Sequence, residues 1–317
     1  MQCSFSSSIR AALIGFVIFS FSIPVCGDGT NGSKSISDSV QSSDEEQRSE
    51  VISFAWRPQK GPEAAYRMED PQDRHKIIIF PGVEKQASPS VLIGFHGHPS
   101  RGKNPRDYQF GKRVEDLVQK MIRKGEIRPV ILVLPVFRFV GQDWPEFDIV
   151  EFKEKVTSIL SEKKISVEDF YLFGHSGAAG CGGEGLNQAH RISPKAVGFF
   201  DTCLGKGWQK EIEALKVANI ETVNLHSVET AGFRPKQTPE YQSTFDFGRA
   251  YGPLGIRPIV CPKTLPSAPL RDQPYRCAAS TVGKVEAFVV NTGEGEDAHT
   301  ALLSEALRYF LLRFTRR

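Results

Sequence analysis

No part of this sequence carries a block of charge of one sign: 40 lysines and arginines are scattered among 37 aspartates and glutamates, leaving a net charge of +3. Without a basic stripe, a nucleic-acid partner is not expected. Apolar runs long enough to cross a bilayer are missing as well. The run near the front, Ala11 to Ile23, falls short of the roughly 20 residues a span needs. Histidine is scarce, with 7 in the chain. No further histidines cluster around His96-Gly97-His98, so a zinc site built on that H-x-H pair lacks its usual companions. No metal and no other cofactor is expected. Cysteine is sparse too, at 6.

What is present begins with residues 1–27. A short polar start with Arg10, the apolar run and then Pro24-Val25-Cys26-Gly27 fit a secretory signal peptide, with small residues at the cleavage end. The expected location is therefore secreted or periplasmic, with no stable membrane span after signal cleavage. A lipoprotein anchored through Cys26 is the alternative, against which Ile23-Pro24-Val25 is a weak match to the small residues wanted there. Cleavage after Gly27 would remove Cys3 and Cys26. Cys181, Cys203, Cys261 and Cys277 would remain, an even set suited to disulfides outside the cytosol, with three pairings open. Residues 28–50 are Ser, Gly, Asp, Glu and Gln with almost nothing apolar. Such a segment cannot offset its ordering entropy, and it is expected to be a flexible polar linker. Asn31-Gly32-Ser33 matches a glycosylation acceptor.

Residues 51–317 are expected to form one folded domain. Val51 to Trp56 and Lys76 to Phe80 read as short strands at an antiparallel edge. Val91 to Phe95, Val130 to Val136, Phe170 to Phe173, Ala196 to Phe200, Thr222 to Leu225 and Val285 to Val290 are apolar runs of strand length. Between them, Tyr108 to Lys124 carries helical spacing through Phe110, Val114, Leu117 and Met121. Ile149 to Leu160 and Leu302 to Phe314 are further helices. Alternation of this kind predicts an α/β protein with a mostly parallel sheet covered by helices on both faces. Residues 231–282, rich in Pro, Gly and aromatics, break the rhythm and are too long for an ordinary connection. They are expected to be an insertion forming a lid or rim, with Phe233, Arg234, Tyr241, Phe245, Phe247, Arg249 and Tyr251 available to line it.

The most informative stretch is Phe170 to Gly180. An apolar strand breaks into Gly174-His175-Ser176-Gly177-Ala178, which places a serine on a tight turn leaving a strand, with small residues two positions away on either side. This is the pattern of a nucleophile elbow. The helix that should follow carries Gly180, Gly182, Gly183 and Gly185. Each costs about 1 kcal/mol relative to alanine in a helix interior, so the helix is expected to be closely packed or broken. Ser176, Asp201, Glu229, His299 and His96-Gly97 all fall where strands end at their carboxyl edge, where chemistry gathers in such sheets.

Over residues 76–314 this pattern resembles the α/β-hydrolase superfamily, in the elbow, in the His-Gly loop after an early strand and in the order serine, acid, histidine; within it, the chain looks most like the secreted serine esterases. The resemblance implies Ser176 as nucleophile, His299 as general base and then acid, and a carboxylate orienting the imidazole. Asp201, directly at a strand terminus, is favoured as that acid, with Glu229 beyond the next strand as the alternative. The backbone N–H groups of Gly177 and His98 would form the oxyanion hole. His175 and His96 are read as substrate-rim residues, and His75, His190 and His226 as solvated or capped histidines. The implied activity is hydrolysis of a carboxylic ester, or of an amide or peptide bond, through an acyl-enzyme on a small-molecule or peptide-like acyl substrate. A non-catalytic ligand-binding protein of the same fold and a metal-dependent hydrolase are the competing readings.

Overall fold

The apolar runs form a single sheet. A computed structural model describes residues 48–59, 74–97, 110–137, 144, 146–179, 184–202, 204–227, 251–259, 276–280, 283–290 and 295–315, all within the compact unit Glu46–Arg317. The strands are β1 (Glu50–Phe54), β2 (His75–Ile79), β3 (Val91–Phe95), β4 (Ile131–Leu134), β5 (Phe170–His175), β6 (Ala196–Phe200), β7 (Glu221–Ser227), β8 (Ile256–Ile259), β9 (Arg276–Ser280) and β10 (Val285–Val290). They lie in the order β1-β2-β4-β3-β5-β6-β7-β10-β9-β8. From β4 through β10 every neighbouring pair is parallel. The two ends of the sheet turn antiparallel, through β1 and β2 on one side and β9 and β8 on the other.

The helices are α1 (Phe110–Arg123), α2 (Ile149–Glu162), α3 (Lys206–Val217) and α4 (Gly295–Phe314). Strand side chains alternate between the two faces, and the core divides accordingly. Val91, Ile93, Phe95, Leu172, Val197 and Phe199 pack with α2 and α3. Leu92, Leu132, Phe173 and Phe200 pack with α1 and α4 on the other face. On α1 the buried stripe is Phe110, Val114, Val118 and Met121, so Val118 takes the place expected of Leu117, which is only partly buried. Asp148 starts α2 by accepting from the amides of Val150 and Glu151, satisfying donors that have no partner inside the helix.

Two elements depart from the sequence expectation, and a third takes one of its two expected forms. The helix α3 was not anticipated, although Trp208, Ile212 and Leu215 are buried at helical spacing. Its buried Glu211 accepts from the His190 amide at 2.7 Å and pairs with His190 Nδ1 at 2.5 Å. No α-helix follows the elbow among the described residues: 3-10 turns at Ser176–Ala178 and Leu186–Ile192 stand there instead. That is the outcome expected where glycines weaken helical order. The described parts of residues 231–282 join the sheet, which an inserted rim did not lead one to expect. β9 pairs with β10, β8 pairs with β9, and Tyr251, Leu254 and Ile256 are buried. Local sequence hid this because those strands are recruited by pairing with β10, which comes later in the chain.

Residues 1–27, most of the linker 28–50, Asn31, the remaining lid positions Phe233, Arg234, Tyr241, Phe245, Phe247 and Arg249, and Cys181, Cys203 and Cys261 lie outside the described residues. Cys277 sits on β9. Among the described residues no helix is long and apolar enough to cross a membrane.

Candidate active site

The strand order changes direction between β3 and β5. From β3 the chain crosses to β4 on one side, then returns to place β5 on the other side of β3. Where adjacent parallel strands send their connections in opposite directions, a crevice opens beyond their carboxyl ends. His96-Gly97 follows β3 and Ser176 follows β5, so both segments arrive at that crevice.

Ser176 has φ 59°, a left-handed conformation that costs a non-glycine residue roughly 1–2 kcal/mol. Its position directly after the strand makes the turn the sharp one the motif requires. Gly174 shows why small neighbours are needed. A Cβ there would stand 2.6 Å from Ala178 Cβ and 3.0 Å from Leu186 Cδ2. One methyl fits between positions 174 and 178, and Ala178 supplies it.

Gly97 is equally constrained by the serine. A Cβ on it would lie 2.6 Å from Ser176 Cβ, 2.7 Å from the His175 carbonyl oxygen and 3.0 Å from the Gly177 nitrogen. The backbone after β3 therefore packs directly on the elbow, beside the Gly177 amide. If the Gly177 amide serves the oxyanion that the sequence resemblance implies, Gly97→Ala should lower hydrolysis of p-nitrophenyl acetate by about a hundredfold while the folded content by circular dichroism is kept. Activity near that of the unmodified chain would show that this contact does not shape the site. His98, assigned the second amide, lies outside the described residues.

Asp201 ends β6 with φ 48°, which a short polar side chain tolerates better than most. Its amide donates to Leu225 O at 2.8 Å. Its Oδ1 accepts from the Ser227 amide at 2.9 Å, so the carboxylate is tied to the ends of both β6 and β7. Its Oδ2 lies 2.9 Å from His299 Nδ1. Burial pushes the Asp201 carboxyl up, but the hydrogen bond and charge of His299, with His226 and the Ser227 amide, outweigh it and hold the group below the usual carboxylate range. His299 itself lies in α4, which begins at Gly295 and not after the histidine. Glu229, the alternative acid, lies outside the described residues.

The two histidines read as rim residues are buried, and each is held by the backbone. His96 stacks on Phe137 with ring centroids 5.1 Å apart. The Phe137 amide donates to His96 Nε2 at 3.3 Å, so the proton resides on Nδ1, which donates to Gly97 O at 2.8 Å. The ring thereby braces the loop that carries Gly97. His175 points away from Ser176, as alternation along a strand demands, and meets His299: Nε2 is 2.9 Å from the His299 carbonyl and the two ring centroids are 4.3 Å apart. Burial first, and then the neighbouring His299, lower the His175 pKa to about 3.

His75 and His226 are not solvated either. The Val136 amide donates to His75 Nδ1 at 2.9 Å, so Nε2 donates to Trp56 O at 2.8 Å, and burial lowers its pKa to about 4. His226 is buried on β7 with Nε2 2.5 Å from the Tyr251 hydroxyl. Burial lowers its pKa to about 4 against the opposing pull of Asp201. Tyr251, expected at a substrate rim, is buried edge-on against Trp208 at 5.2 Å. Among the described residues no group of three or more potential ligands could hold a metal ion.

Comparison with protein-family models and with curated proteins found no match. Among solved structures, the chain is similar to a ferulic acid esterase at 13% identity and TM-score 0.48, covering 84% of this chain and 99% of that one. An S-formylglutathione hydrolase from Agrobacterium tumefaciens is 10% identical, with TM-score 0.47 and coverage of 84% and 94%. A feruloyl esterase module from Clostridium thermocellum, complexed with sinapinate, is 13% identical, with TM-score 0.43 and coverage of 86% and 90%. The chain's own strand order, the crevice at β3 and β5 and the strained serine leaving β5 make this the α/β-hydrolase fold.

Proposed function

We propose that this chain is a serine hydrolase that cleaves carboxylic esters through a Ser176-His299-Asp201 triad and an acyl-enzyme. The observation that carries the reading is the bond between a buried, doubly anchored Asp201 carboxylate and His299 Nδ1, at the end of the strand paired with β5, which itself ends at the strained serine. With Nδ1 bonded to a carboxylate, the ring's proton stays there and Nε2 keeps its lone pair. That is the tautomer a general base needs.

In the first step Ser176 Oγ attacks the ester carbonyl carbon while its proton passes to His299 Nε2. Asp201 stabilises the imidazolium. The carbonyl oxygen becomes an oxyanion, for which the Gly177 amide is the donor on the elbow, with His98 assigned as the second. Collapse breaks the ester C–O bond, and the leaving alkoxide takes the proton from Nε2. Water then repeats the sequence, releasing the acid and restoring Ser176. Residues 1–27 fit an export signal, which supports a secreted or periplasmic enzyme.

A fluorophosphonate probe tests this directly. The expected result is stoichiometric labelling of the folded protein at Ser176, with labelling and ester hydrolysis both lost in Ser176→Ala. Hydrolysis that survives Ser176→Ala, with no labelling of the unmodified chain, would overturn the serine mechanism.

A further inference from the structure

Outside the triad, His175 is a buried histidine without a structural partner of the ordinary kind. Its Nε2 reaches the carbonyl of His299, a residue 124 positions away in sequence. Its ring lies against the ring of His299, tilted by 32°. Among the described residues its Nδ1 is buried with no hydrogen-bond partner. An imidazole with one nitrogen facing a carbonyl must donate from that nitrogen, so Nε2 carries the proton and Nδ1 the lone pair. Leaving the Nδ1 lone pair buried and unbonded is unfavourable. A phenylalanine or leucine would fill the same volume without that cost, so filling space does not account for the residue.

We infer that His175 is a positioning residue, which clamps the backbone and ring of His299 to the strand that ends in Ser176. This inference rests on the proposed triad. The carboxylate of Asp201 restrains His299 only at Nδ1, and rotation about that contact would leave Nε2 free to swing. The bond to the His299 carbonyl fixes the first turns of α4 relative to β5, and the ring contact restricts the imidazole's tilt. Because His175 immediately precedes Ser176, one strand terminus holds nucleophile and base in register. Misplacing a base by about 1 Å is enough to lose rate without losing binding. The charged and titratable groups facing His175 are His299, Asp201 and Arg113. A neutral His175 adds no competing charge when His299 takes up its proton.

The test compares His175→Leu, which fills the space but has no donor, with His175→Gln, whose amide nitrogen can replace Nε2. With p-nitrophenyl acetate, His175→Leu should lower kcat roughly tenfold or more with KM unchanged, and His175→Gln should recover at least half of that loss. The rate of fluorophosphonate labelling should follow kcat. Proton NMR of the His299 Nδ1–H bonded to Asp201 should show a resolved low-field signal in the unmodified and Gln chains, broadened in the Leu chain. Equal kcat in a folded His175→Leu, or no recovery by Gln, would overturn the inference while labelling of Ser176 leaves the triad standing. Absence of labelling in the unmodified chain would instead remove the triad itself. Should the Leu variant not fold, nitrogen-15 NMR of the unmodified chain decides. His175 should carry its proton on Nε2 at pH 7, and an imidazole protonated on Nδ1 alone, which cannot donate to the His299 carbonyl, would overturn the clamp.

Discussion

Replacing Asp201 by asparagine should lower kcat for p-nitrophenyl acetate by about 10⁴-fold while leaving the fold and KM nearly unchanged. The reason lies in the second bond the carboxylate makes. The Ser227 amide donates to Oδ1, so an asparagine must turn its carbonyl oxygen toward that amide. Its NH₂ group then faces His299 Nδ1, where the carboxylate oxygen Oδ2 now accepts at 2.9 Å. A donor at that place forces Nδ1 to accept and moves the ring proton to Nε2. Such an imidazole has no lone pair left for the serine proton. Glu229→Gln, tested beside it, separates the two acids considered from sequence: the loss should accompany position 201 alone. A large loss at 229 with little at 201 would reassign the carboxylate.

The second large effect is on stability toward acid. His75, His175 and His226 are buried and neutral, with pKa values lowered to about 4, 3 and 4. In the unfolded chain each titrates near 6.5. Between those limits the unfolded state binds more protons, so stability rises with pH and is lost as pH falls below about 6.5. Each histidine contributes up to about 1.4 kcal/mol per pH unit, or about 4 kcal/mol per unit for the three near pH 5. Asp201, whose carboxyl is held low, extends the same trend further into acid. Glu115 and Glu211, pushed up by burial, work in the opposite direction. The histidine total approaches the whole stability of an ordinary domain. Urea denaturation at pH 7, 6 and 5 should therefore show a steep fall, with acid unfolding complete before pH 4. A stability curve flat from pH 7 to pH 5 would mean that these rings are reached by water and protonate in the folded state.

Much of this arrangement was legible in the chain because the signals are local. Six continuous apolar runs became the parallel strands, and the small residues around Ser176 marked the turn. An acid at the end of Phe199-Phe200 was readable as a strand-terminal carboxylate because β6 ends there. Of the two readings given to His75 and His226, solvated or capped, the solvated one failed for a different reason. Whether His75 or His226 is solvated depends on Trp56, Val136 and Tyr251, which are distant in sequence and offer no pattern next to the ring. His175, read as a rim residue, is buried because its partner comes from α4, far along the chain. The missed helix α3 is an exception: its spacing was present, within a lysine- and glutamate-rich segment that reads equally well as a connection. β9, with the sequence Arg-Cys-Ala-Ala-Ser, holds no β-branched residue, so only its partner strand reveals it.

The hairpin-like extension beyond β10 also decides how the sheet ends. Among the described residues its outermost strand, β8, carries Pro258 paired opposite Ala278, and proline has no amide hydrogen to offer a newcomer. An incoming strand would find a gap in the row of donors at that position, in a strand only four residues long. Among the described residues this border is thus the less receptive of the two to continuous pairing with a further strand, and the border at β1 is the more receptive.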